Sequence, residues 1–141
     1  PDITRPPDHE LVLDAGFDAV SAALVEMRAH FRTLGHPAAG SDLWELALAE
    51  ALNNIVEHAY AGHDGGTIQI ALWLHPQRMT VALRDRGVPM PAGTPPRPDM
   101  PDARTLPEGG FGWAMIHALC DRIDYRSAPD GNRLVLEVPL G

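Results

Sequence analysis

The chain has 141 residues, enough for one domain that buries about 70% of its unfolded surface. Its 19 acidic against 11 basic residues leave a formal charge of -8, with no basic stripe, which argues against a reader of nucleic-acid phosphates. The single cysteine, Cys120, excludes an internal disulfide. No apolar run approaches the ~20 residues of a membrane span, so a cytoplasmic protein with neither nucleic acid nor membrane as partner is expected.

Residues 1–9 read as a flexible N-terminal segment ahead of a single domain over 10–141. Leu11-Val12-Leu13 precedes the turn Asp14-Ala15-Gly16 and predicts an edge strand. From Phe17 to Leu34, Val20, Ala23, Leu24, Met27 and Phe31 recur at helical spacing, and Gly35 closes the helix. A second helix opens with Asp42 and Glu45 in a capping-box pattern and runs to about Tyr60; its first half is apolar nearly all round, which makes it central. Ile68, Ile70, Leu72 and Leu74, then Met79, Val81 and Leu83, alternate on either side of a turn and predict a hairpin. A second hairpin pairs Arg122–Ser127 with Arg133–Val138 through Ala128-Pro-Asp-Gly131. The expected fold is an α/β two-layer sandwich: a mixed, mostly antiparallel sheet of about five strands with the helices on one face.

Between the hairpins, Val88 to Glu108 holds half of the chain's 14 prolines, so it extends neither a helix nor a central strand and reads as a lid. Glu50 and Asn54 lie one helical turn apart and share a strip of the second helix. Asn53 and Asn54 each cost roughly 0.5 kcal/mol relative to Ala there. Such broken local rules mark functional positions, although any amphipathic helix has a polar face. Asp85-Arg86-Gly87 follows a strand, where it serves turn chemistry or a site. Gly110-Phe111-Gly112 opens the last helix, as a hinge or as a phosphate cradle. Their order along the chain says more than any one of them.

In that order the motifs resemble the GHKL superfamily of ATP-binding domains, the Bergerat or histidine-kinase-like ATPase fold: Glu50 to Asn54 as its N-box, Asp85-Arg86-Gly87 and Gly110-Phe111-Gly112 as its glycine boxes. Glu50-Ala-Leu-Asn-Asn-Ile-Val-Glu-His-Ala-Tyr60 and Pro107 to Ile116 are similar to the bacterial anti-sigma-factor serine/threonine kinases of partner-switching pathways. The resemblance implies ATP and Mg²⁺ as cofactors. It makes Asp85 the acceptor of the adenine amine, with Gly87 letting the backbone pass the ring. Asn54 becomes the Mg²⁺ ligand, Gly110 and Gly112 the amides at the phosphates, and Glu50 the group that orients or deprotonates a substrate serine. Implied partners are a STAS-type anti-anti-sigma substrate, a sigma factor and a second copy of the chain. The alternative is a slow or inactive module that binds a sigma factor or response regulator and uses ATP as a conformational switch. Two departures stand out: Pro89 at the second glycine position of the Asp-x-Gly-x-Gly first box, expected to stiffen the lid base, and Asn132-Arg133 where the family often has threonines behind the adenine pocket. Of the other polar or reactive groups, His58 is expected to make a structural hydrogen bond, Trp113 and Cys120 to lie in apolar surroundings, and Arg97 and Arg104 to be solvated.

Overall fold

The computed structural model describes residues 3–60, 65–90 and 110–140. Five strands form one sheet in the order β1 (His9–Asp14), β2 (Thr67–Leu74), β3 (Arg78–Asp85), β5 (Gly131–Pro139), β4 (Arg122–Ala128). Every neighbouring pair is antiparallel, so the sheet is not mixed. Tight turns join β2 to β3 and β4 to β5, and each such turn reverses the chain direction. Helices α1 (Phe17–Leu34) and α2 (Leu43–Asn54) lie between β1 and β2, and α3 (Gly110–Leu119) precedes β4.

Period-two alternation decides which face the helices cover. Ile68, Ile70, Leu72, Met79, Val81, Leu83, Leu134, Leu136 and Val138 are buried in one cluster with Met27, Phe31, Trp44, Leu48, Leu52 and Ile116 of the helices. On the other face, among the described residues, Trp73, Ala82 and Val135 form a small buried apolar island, with Ile3 and Ala71 packed on it. This is the two-layer arrangement expected from the apolar pattern.

Helix α1 ends in a Schellman motif. Gly35 takes the left-handed conformation (φ 66°), and the amides of Gly35 and His36 donate to the carbonyls of Arg32 and Phe31. The start of α2 departs from the predicted capping box: Asp42 makes no side-chain cap, and its carboxylate turns with that of Glu45 toward Arg28. One guanidinium therefore gathers the α2 entrance, donating to Ala39 O at 2.8 Å, Ser41 O at 3.2 Å, Asp42 Oδ1 at 3.2 Å and Glu45 Oε2 at 2.7 Å. It also stacks 5.1 Å from the centre of the Trp44 ring. A half-buried cation beats a local cap because it satisfies two orphan carbonyls as well as two charges. Arg28→Ala is expected to cost about 2 kcal/mol, seen as a lower urea midpoint. An unchanged midpoint would show that the knot adds nothing.

The first residues are not loose over the part described. Asp8 N donates to Leu72 O at 2.7 Å, Asp8 Oδ2 accepts from Leu74 N at 2.7 Å, and Arg5 O accepts from Trp73 Nε1 at 2.8 Å. They continue the pairing along β2 and cover the Trp73 indole.

Beside them, His9 of β1 stacks on His30 of α1 with ring centres 4.0 Å apart, and Nε2 of each is buried with no partner among the described residues. Burial first, then the neighbouring His30, lowers the His9 pKa; burial lowers that of His75 as well. Both groups bind protons more readily when unfolded. Stability is then complete above their ordinary value of about 6.5 and falls as pH drops below it toward the folded pKa values. Thermal melts should shift downward between about pH 7.5 and 5.5, with a shallower slope in His9→Phe. Equal slopes in the two proteins would clear His9 of any part in the shift.

Candidate functional site

Helix α2 buries Trp44, Ala47, Leu48, Ala51 and Leu52. That leaves Glu50, Asn53 and Asn54 on the flank that meets α3. These three, with Glu57, Gly112, Trp113 and Ile116, line a cleft of about 190 Å³. A Cβ placed on Gly112 would stand 2.5 Å from Glu50 Oε2, so the first turn of α3 can lie against this carboxylate because residue 112 has no side chain. No hydrogen bond engages the Glu50 carboxylate among the described residues. Trp113 is buried, as expected, and forms the apolar wall.

Immediately after Asn54 the helix widens into one π turn, Ile55–Ala59, closed by Tyr60 N donating to Ile55 O at 3.2 Å. Such turns concentrate at functional sites. Here the turn aims Ala59 O at the loop after β3, where it accepts from Val88 N at 2.7 Å. Tyr60 Oη reinforces the junction, accepting from Arg86 N and donating to Thr67 O, each at 2.7 Å.

At that loop Asp85 ends β3 with its carboxylate buried. Oδ1 accepts from Gly87 N at 2.9 Å and from Asn132 Nδ2 at 2.8 Å; Asn132 Nδ2 also donates to Gly87 O at 3.0 Å, and Asn132 Oδ1 accepts from Ser127 Oγ at 2.8 Å. Oδ2 carries no hydrogen bond among the described residues. A buried carboxylate with one oxygen held and the other open is oriented to accept from a donor brought to it.

Asn132, at the position whose contact the sequence left open, holds Asp85 from behind. Its signal lies in the pairing of β3 with β5, which sets Asp85 opposite Asn132. At Gly87 a Cβ would clash with Ala59 O, so the glycine admits the backbone of the π turn. On either side of Pro89, Val88 N bonds Ala59 O and Met90 N donates to Tyr125 Oη at 2.9 Å. The proline lies between two anchors and has no N–H to leave unpaired.

The structure brings Glu50, Asn54 and Gly112 into one cleft, and sets Gly87, with Asp85 bonded to it, against Ala59 at the end of the π turn. Gly110 opens α3. Residues 91–109, with most of the predicted lid and with Arg97 and Arg104, lie outside the described residues. His58 is exposed, 3.7 Å from Glu57 Oε2, and makes no structural hydrogen bond among the described residues, because the π turn faces it outward. Burial pushes the Cys120 thiol up to about 12, which keeps it protonated and inert.

Residues 13–138 match the histidine kinase-like ATPase domain family. Among relatives, the serine-protein kinase RsbW of Halalkalibacterium halodurans is 25% identical over 129 residues, covering 88% of this chain and 78% of that protein. RsbW of Oceanobacillus iheyensis is 33% identical over 86 residues, covering 56% of this chain and 53% of its own. Among solved structures, the RsbU and RsbW domains of a Mycobacterium tuberculosis protein superpose with a TM-score of 0.57 at 22% identity, over 96% of this chain and 34% of theirs, which is a likeness of fold. No helix among the described residues is long and apolar enough to cross a membrane. The chain belongs to the histidine kinase-like ATPase domain family.

Proposed function

We propose that this protein is an ATP- and Mg²⁺-dependent serine/threonine kinase of the cytoplasm that phosphorylates a STAS-type anti-anti-sigma protein and, unphosphorylated partner absent, sequesters a sigma factor. Membership of an ATPase domain family carries ATP binding with it. The observation that carries the kinase reading is the shared cleft: the Glu50 carboxylate, free of protein hydrogen bonds among the described residues, sits against Gly112 and one helical turn from Asn54.

The donors in the cleft suit magnesium. Glu50, Asn53, Asn54 and Glu57 offer carboxylate and amide oxygens, and no cluster of three His, Cys, Asp or Glu among the described residues makes a dedicated cage. That fits an ion that keeps waters and phosphate oxygens and takes few protein ligands. Asn54 would hold it through its amide oxygen. When bound, the metal neutralises charge on the transferring phosphoryl group.

The chain's own residues do the rest. Open Oδ2 of Asp85 accepts the adenine amine, with Asn132 and the Gly87 amide fixing the carboxylate. The amides at Gly110 and Gly112, at the positive end of α3, face the phosphates. Glu50 orients the substrate hydroxyl and takes its proton as the oxygen attacks. Incubation with labelled Mg·ATP should label a cognate STAS partner on serine or threonine. Nucleotide binding with no label on any such partner would reduce the protein to a nucleotide-governed binding module.

A further inference from the structure

On the face of the sheet away from the helices, the strand register lines up arginines. Arg84 of β3 pairs with Arg133 of β5, and Arg133 pairs with Arg126 of β4, while Gln69 of β2 stands opposite Arg84. Strands lie about 4.8 Å apart, so three guanidinium groups occupy one row about 10 Å long. Arg86 joins them at the margin of a cleft of about 550 Å³ that all four line.

Like charges placed directly opposite on neighbouring strands destabilise a sheet. The row is scarcely compensated. Asp124 reaches Arg126 only at 3.8 Å and is shared with Arg122 at 3.6 Å, and Arg84, Arg86 and Arg133 have no ion pair among the described residues. Two carboxylates line the cleft with these four arginines: Asp130, and the buried Asp85, whose Oδ1 is held by Asn132 and Gly87. A chain with charge -8 thus concentrates four of its 11 basic residues, all of them arginine, where they repel one another.

We propose that this row is a docking site for an acidic segment of a partner protein, whose carboxylates pair with Arg84, Arg133 and Arg126. Charge complementarity selects the occupant. Guanidinium forks bind carboxylates two bonds at a time and shed water more readily than ammonium groups. A nucleic acid is disfavoured: no aromatic side chain among the described residues lines the cleft to stack on bases, and the acidic remainder of the surface repels a long polyanion. The site is separate from the Glu50 cleft, and its occupation requires no phosphoryl transfer.

Fluorescence anisotropy with a labelled hexaglutamate peptide and the full chain tests this. Binding is expected at low ionic strength, weakening as salt rises. Arg133→Ala and Arg84→Ala should each weaken it about tenfold, and Arg133→Lys should rescue only part. Thermal melts separate function from structure: Arg84→Thr and Arg133→Thr should hold or raise the melting temperature, because relief of repulsion outweighs any lost contact. No peptide binding, equal binding by Arg133→Ala, or melting temperatures that fall in both Thr variants would overturn the proposal. So would tighter binding of a single-stranded oligonucleotide at the same arginines, or full displacement of the peptide by Mg·ATP, which would assign the cleft to the nucleotide.

Discussion

Glu50→Gln is expected to lower phosphoryl transfer to a STAS partner about 10³-fold while ATP affinity changes by less than about tenfold. The substitution keeps shape and removes only basicity. Glu50 is half-buried, accepts no hydrogen bond among the described residues, and has its Oε2 where a Gly112 Cβ would stand. The fold therefore has no recorded need of its charge, and the amide can occupy the same space. Single-turnover transfer from labelled ATP measures the first quantity and displacement of a fluorescent nucleotide the second. A large affinity loss with transfer otherwise intact would make Glu50 a nucleotide-binding residue. Full transfer would end its assignment as the base.

Gly87→Ala should cost about 3 kcal/mol and weaken nucleotide binding together with stability. The new methyl would lie 2.2 Å from Ala59 O and 2.5 Å from Ala59 C, which are backbone atoms of the π turn and cannot swing aside. Separating them breaks the Val88 N to Ala59 O bond and displaces the Gly87 amide from Asp85 Oδ1. Both effects act on one carboxylate, so stability and binding fall together. By contrast, Gly112→Ala meets only the mobile end of Glu50 and should spare stability while impairing transfer. Denaturant melts and nucleotide titrations on the two variants distinguish these cases. A Gly87→Ala protein as stable as the parent would leave the glycine explained only by approach of a ligand.

The apolar periodicities belonged to the sequence alone. Alternation at Ile68 to Leu74 and Met79 to Leu83 fixes which strand face is buried whatever the partners, and the 3.6-residue pattern of Val20 to Phe31 does the same for α1. Gly35 announces its helix end because a left-handed residue is a local demand. Glu50 and Asn54 were also legible, since four residues along a helix is a local distance.

What the sequence could not supply are contacts made across elements, whose geometry depends on register and packing. Arg28 lies 14 and 17 positions from Asp42 and Glu45, so local spacing suggested a cap where a tertiary ion pair formed instead. Asn132 reaches Asp85 across 47 residues, Gly87 passes Ala59 across the π turn, and Arg84, Arg133 and Arg126 share a row only because three strands pair in one register. Local propensity sets each element's inner face; which outer groups then stand beside one another is decided when the sheet closes and the helices settle on it.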